Sequence, residues 1–352
     1  MHPDPGFRIF FGGPDRPPRA LRDLLHSRVA GVPPGGEIFW ATYYFRDQSL
    51  ADALVLARRR GVNVRLTLEA NPRTAHANRP VFETLQSPAG LDGGLRALKH
   101  LWPENLQFWR NPRLHIKLYY FSHPEPHVLL GTFNPSGNRP EDPAIVAEIG
   151  DQDRGHNFLL EWTDRRLVSP LREHIRLIHT SFHGPWERLL PDNNRVIATD
   201  DTRIFLFPRI RRGVIRRKLK DLPTGAVLRL AVSHMNDRRI VRSLALLADR
   251  GVRIEILAHD TKRRVPHWGE RSLNRNGITF RRYVHPENLP MHNKFILIET
   301  PERREVLFGS MNLSGRSLHA NHELLVASEN LSLFQAFEER WKQMLRETET
   351  IL

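Results

Sequence analysis

A chain of 352 residues with a formal net charge of +14 and no cysteine excludes disulfides, thiolate nucleophiles, zinc–thiolate sites and iron–sulfur clusters. Its 40% hydrophobic and 26% charged residues exclude wholesale disorder, and its length leaves room for two domains. A positive balance of this size attracts polyanions, either nucleic acid or an acidic lipid surface. The opening MHPDPGFRIFFGGPDRPP lacks the basic and apolar regions of a secretory signal, and no run approaches the roughly 20 apolar residues of a membrane span. A cytoplasmic protein is therefore expected.

In chain order, Arg8-Ile9-Phe10 opens a strand-like run, and residues 37–71 read as a strand, an amphipathic helix from about Gln48 to Arg60, and a second strand after Gly61. Residues 72–95 and 135–157, rich in Pro, Gly and Asn, read as loops. The same design then returns. Arg203-Ile204-Phe205 repeats the first triplet 195 positions on; residues 226–260 repeat the βαβ pattern, with Asp237 as helix start and Gly251 as stop; Arg-Gly-Val stands at 60–62 and at 250–252. The basic run 209–220 reads as a solvated or phosphate-facing helix, and 331–345 as an amphipathic packing helix. These ordered repeats predict two α/β lobes, residues 1–190 and 191–352, each a mixed sheet with helices on both faces. The boundary falls where Pro185, Pro191 and an Asp-Asn-Asn cluster punctuate the pattern.

Two further repeats carry chemistry. His115 and Lys117 are followed by Gly131, Thr132 and Asn134; His292 and Lys294 by Gly309, Ser310 and Asn312. Only seven lysines occur in the chain, and no other has a histidine two positions before it. On a strand, residues i and i+2 share a face, so each His and Lys would project together. Duplicated sets of this kind suit phosphodiester cleavage. One neutral imidazole attacks phosphorus while a second, protonated, gives its proton to the leaving oxygen. Two lysines and two asparagines hold the non-bridging oxygens, with Thr132 and Ser310 as phosphate contacts, so no metal or other cofactor is needed.

These residues resemble the signature of the phospholipase D superfamily, His-x-Lys-x4-Asp followed by Gly-Ser-x-Asn, across about 37–183 and 203–345. The resemblance implies two similar lobes related by a pseudo-twofold axis, one active site at their interface, and a phosphohistidine intermediate without metal. It also implies His115 as nucleophile and His292 as general acid, roles that the residues alone leave open. The signature aspartate is replaced by Ser122 and Glu299. Glu323, in NHELLVAS, takes the place of the family glutamate that orients a catalytic histidine; in the first half HNFLLEW puts Phe158 there, with Glu148 or His156 as substitutes.

The motif does not choose a substrate. The charge favours a long polyanion, and Trp102, Trp109 and Trp268 stand among basic residues where they could stack bases. The expectation is a nuclease on DNA or RNA. Phospholipid hydrolysis or phosphatidyl transfer at a cytosolic membrane face is the alternative enzyme reading, and nucleic-acid binding with little catalysis the third. No recognition domain is evident beside the lobes, so specificity is expected to be low or supplied by a partner protein. Because both motif copies lie in one chain, a monomer would complete the set.

Overall fold

The computed structural model describes residues 6–99, 112–137, 142–181, 183–184 and 186–349. Trp102 and Trp109 lie outside the described residues. Two compact units are present, Met1–Pro185 and Trp186–Leu352.

Unit 1 contains strands β1 (Phe7–Gly12), β2 (Glu37–Thr42), β3 (Asn63–Glu69), β4 (Leu95–Leu98), β5 (Leu118–Phe121), β6 (His127–Gly131) and β7 (Asn157–Trp162), in the sheet order β4-β3-β2-β5-β6-β7-β1. Unit 2 contains β8 (Val196–Ala198), β9 (Thr202–Phe207), β10 (Val227–Val232), β11 (Arg253–His259), β12 (Thr279–Tyr283), β13 (Lys294–Glu299), β14 (Arg304–Gly309) and β15 (Glu323–Ser328), in the order β12-β11-β10-β13-β14-β15-β9-β8. Apart from the extra edge strand β8, the two orders are the same. In each, a parallel trio joins an antiparallel set, β2 against β5 and β10 against β13. The expected mixed α/β architecture with two similar lobes is what the chain adopts.

Helices α1 (Ala20–Ala30), α2 (Gln48–Arg59), α3 (Arg79–Gln86), α4 (Pro143–Ile149) and α5 (Arg165–Thr180) belong to unit 1. Helices α6 (Val214–Lys220), α7 (Arg238–Asp249), α8 (His267–Arg275), α9 (Gly315–His319) and α10 (Leu331–Glu349) belong to unit 2. The alternation of β2 decides which side each residue serves: Ile38 and Trp40 join α1 and α2 in one core, while Phe39 lies under the Arg172 guanidinium of α5 on the other face. In unit 2, Leu228 and Leu230 pack with α6 and α7, and Phe337 of α10 covers Phe295 and Phe308 from the opposite face at ring separations of 5.0 and 4.9 Å. Asp47 caps α2 by accepting from Leu50 N at 2.9 Å, and Asp237 caps α7 by accepting from Arg239 N at 2.8 Å.

Three local expectations need correction. The stretch 72–95, expected to be loop, holds α3, which has Pro80 in its first turn and buries only Val81 and Leu85, too short an apolar stripe to stand out. The stretch 135–157 holds α4, capped by Asp142 and anchored by Ile145 and Ile149. The basic run 209–220 is helical only from Val214; residues 209–213 form the loop leaving β9. Among the described residues, no helix is long and apolar enough to cross a membrane.

Candidate functional site

Both motif sets lie at the same end of their sheets, where the parallel strands finish, the end at which open α/β sheets bind ligands. In unit 1, His115 and Lys117 lie in the extended segment entering β5, outside the strand itself; in unit 2, Lys294 opens β13 with His292 two residues before it. Lys117 is 1% exposed and its Nζ donates to the His115 carbonyl at 2.7 Å. Lys294 Nζ makes the same bond to the His292 carbonyl, also at 2.7 Å. Each ammonium therefore fixes the backbone that carries its own histidine and holds a positive charge in that half-site. The Tyr43 ring, just past β2, lies 5.3 Å from the His115 ring and 5.5 Å from Lys117 Nζ.

The following strand supplies the rest. Strands β6 and β14 end at Gly131 and Gly309, the first residues of the two motif pairs. Thr132 N donates to Phe158 O at 3.1 Å and its hydroxyl accepts from Phe158 N at 3.1 Å; Ser310 N donates to Leu324 O at 3.1 Å and its hydroxyl accepts from Leu324 N at 3.0 Å. These hydroxyls latch the last turn of one strand to the start of the next. Asn134 is buried, with Nδ2 donating to Gln152 Oε1 at 2.8 Å and Oδ1 accepting from Tyr44 N at 3.3 Å. The buried Oδ1 of Asn312 has no hydrogen-bond partner among the described residues.

The two sets also differ at the position of Glu323. Gly131 stands opposite Leu159 and Gly309 opposite Leu325, so Phe158 corresponds to Leu324, and the residue matching Glu323 is Asn157. This register corrects the assignment of Phe158, and aligns His156-Asn157 with His322-Glu323. Glu148 is no substitute: it sits on α4, half exposed, paired with Arg73 at 2.9 Å. Glu323 is fully buried, accepting from Ser310 Oγ at 2.5 Å and from Asn321 Nδ2 at 3.2 Å, whereas Asn157 Nδ2 donates to Gln152 O at 2.8 Å. His322 faces Glu187 at 3.1 Å.

The positions of the missing signature aspartate lie at the opposite end of the sheets. Ser122 accepts from Glu37 N at 2.7 Å, at the start of β2, and Glu299 pairs with Arg304 at 3.0 Å. Their replacement leaves the end carrying His and Lys unaltered.

Two supporting residues went unread in the sequence. Glu69 ends β3 and accepts from Leu114 N at 2.6 Å, anchoring the segment that presents His115; its signal was a buried acid closing a strand that alternates polar and apolar residues. His259 ends β11 at the matching place in unit 2. Burial pushes its imidazole down to about 4, outweighing the neighbouring Asp260, with Arg264 and Lys294 opposing the charged form. His179, hydrogen-bonded to Thr67 of β3, is likewise pushed down to about 4 by burial and by Arg65 and Arg96. Both are neutral in the folded chain at neutral pH. The unfolded chain binds their protons below about 6.5, so their effect on stability is absent above that pH and grows increasingly unfavourable down to about 4. Thermal unfolding is accordingly expected to shift to lower temperature between about pH 7 and pH 4.5, and less steeply in His259→Gln, as scanning calorimetry at each pH will show.

The sequence matches the family model described as "Cardiolipin synthase, PLD-like domain" over residues 35–139 and again over 225–345. No curated protein gives a significant match. Among solved structures, phosphatidylserine synthase from Haemophilus influenzae is similar with a TM-score of 0.66 at 12% identity, over 97% of this chain and 86% of its own. Polyphosphate kinase from Porphyromonas gingivalis is similar with a TM-score of 0.60 at 14% identity over 96% of this chain; the chain spans half the length of that kinase. NucT from Helicobacter pylori matches 42% of this chain at 18% identity with a TM-score of 0.35.

Proposed function

Because the chain belongs to the phospholipase D superfamily of phosphodiesterase-type enzymes, we propose that it is a metal-independent nuclease, cleaving DNA or RNA through a covalent phosphohistidine. The observation that carries the reading is the recurrence of one half-site in both units: a buried lysine bonded at 2.7 Å to the carbonyl of its motif histidine, beside a buried motif asparagine. Each unit thus supplies one imidazole, one ammonium and one carboxamide to the reaction.

His115 attacks phosphorus as the neutral imidazole, forming a P–N bond. The P–O bond to the leaving nucleoside breaks, and His292 gives its proton to that oxygen. Water then attacks the phosphohistidine, His292 takes the water's proton, and His115 leaves. Lys117 and Lys294 offset the charge that builds on the five-coordinate phosphorus, Asn134 and Asn312 hold its non-bridging oxygens, and Thr132 and Ser310 shape the backbone beside them. The asymmetry at 157 and 323 fits this division of labour. The set that holds His292, the acid, carries the buried carboxylate of Glu323, where the set that holds His115, the nucleophile, carries the uncharged Asn157.

The +14 charge supports a nucleic-acid substrate over a single small phosphodiester. Phosphatidyl transfer is the second reading, favoured by the description of the matching family and by the similar phosphatidylserine synthase. A cytoplasmic protein working alone or with a specificity-giving partner is consistent with either. End-labelled single-stranded DNA, duplex DNA and RNA incubated in EDTA test the proposal. Cleavage is expected; turnover of phospholipid vesicles with intact oligonucleotides would replace it by the second reading.

Glu323 acts through His292 as a positioning residue. Glu323→Gln is expected to slow cleavage by roughly 10–100-fold, and to move the alkaline limb of the rate profile to lower pH as the acid's pKa falls. A slower enzyme with an unmoved profile would assign Glu323 a structural role only.

A further inference from the structure

Helices α6 and α7 enclose a groove of about 630 Å³ on unit 2, outside the half-site. Its floor is apolar, with Leu219 and Leu247 buried and Leu246 54% exposed. Its rim is cationic: Arg216, Arg217 and Lys220 project from α6 and Arg250 from the end of α7, all exposed, against the single acid Asp249. Several other arginines of this unit are paired with carboxylates, as Arg229 is with Glu299 and Glu338, and Arg282 with Glu270. Arg216 and Lys220 have no ion-pair partner among the described residues, while Arg217 and Arg250 donate only to the backbone carbonyls of Arg211 and Lys220.

The position of the groove links it to the chemistry. Strand β9 ends at Phe207, directly opposite Glu323, and the chain then passes through the loop 208–213 into α6. The near end of α6 lies beside the half-site end of the sheet, where Arg212, Arg216 and Arg239 all act on His319. The helix then runs back roughly 10 Å to Lys220. Arg216 and Lys220 are one turn apart on one side of it, about 6 Å along the axis. Cations strung along a line that leaves the half-site suit a polymer with regularly repeated charge; a lone headgroup would be met by cations converging on one point.

We infer that this groove is the track for the substrate strand beyond the cleaved bond, its phosphates on the α6 and Arg250 rim and its sugars against Leu246. The inference rests on the nuclease reading and adds a surface to it. Burying the sugars on Leu246 explains the apolar floor, and the groove's lack of aromatic residues predicts little preference among bases.

The test compares wild type with the triple variant Arg216→Gln, Arg217→Gln, Lys220→Gln, all exposed positions, by fluorescence anisotropy of short and long labelled oligo(dT) in EDTA over a range of salt. Wild type should bind the long oligomer more tightly than the short one. The variant should lose most of that gain, and the slope of log affinity against log salt should flatten by about 2, near 0.7 for each lost phosphate contact. Leu246→Glu, which changes no cation, should weaken the long oligomer alone. An unchanged slope in the triple variant, with oligonucleotides still cleaved, would overturn the track and leave the nuclease reading standing. Failure of wild type to bind or cleave any oligonucleotide, with cation-dependent binding to phosphatidylglycerol vesicles, would overturn both.

Discussion

His115→Asn and His292→Asn are each expected to lower cleavage in EDTA by at least about 10³-fold, with oligonucleotide affinity changed little. The two losses should differ in kind. Without His115 no P–N bond forms, so no phosphorylated protein accumulates on any substrate. Without His292 the leaving oxygen lacks its proton, a serious defect for an alkoxide and a small one for 4-nitrophenolate, which leaves as the anion. With an activated 4-nitrophenyl phosphodiester, His292→Asn should release a burst of nitrophenolate and retain an acid-labile phosphoryl label, because the same imidazole is also the base for hydrolysis. His115→Asn should give neither. The opposite pattern would exchange the two roles, and full turnover by both variants would remove the histidines from the chemistry. Stopped-flow absorbance and gel autoradiography of the labelled protein read these outcomes.

Much of this architecture was legible because it is written twice. Arg8-Ile9-Phe10 and Arg203-Ile204-Phe205 do occupy matching places: Phe10 pairs with Leu159 and Phe205 with Leu325, residues that also face the two motif glycines. The helix after β2 begins at Gln48 and that after β10 directly follows Asp237, both as expected, since a cap is a local event governed by neighbours two or three residues on. The short helices α3 and α4 escaped notice because tertiary contacts at two positions each, rather than a sustained apolar period, hold them in place. Asn157 escaped for another reason. The similarity of HNFLLEW to NHELLVAS leaves a slip of one residue open, and only strand pairing, which sends alternate residues to opposite faces, decides that 157 and not 158 stands where Glu323 does.

That same register produces the second large effect, on stability. Gly131 and Gly309 close their strands where the next strand passes so near that a Cβ would lie 2.1 Å from Phe158 O and 2.2 Å from Leu324 O. Both obstructing atoms are backbone carbonyls, already bonded to Thr132 N and Ser310 N, so neither can step aside without opening the latch between the strands. Gly309 adds a φ of +144°, a conformation that L side chains rarely adopt. Gly309→Ala is therefore expected to destabilise unit 2 by roughly 3 kcal/mol or more, with strain and clash adding. For a domain of this size that lowers the unfolding temperature by about 6–12 °C. Gly131→Ala carries the clash without the positive φ and should cost less. Activity should fall further than stability below the transition, because the carbonyl displaced in unit 2 belongs to the residue after Glu323, and moving it takes the carboxylate and the Ser310 hydroxyl out of register. Differential scanning calorimetry of the two variants, paired with cleavage rates well below their transitions, separates the terms. A Gly309→Ala protein that melts and cleaves like wild type would mean that β14 and β15 do not approach as closely as the latch requires.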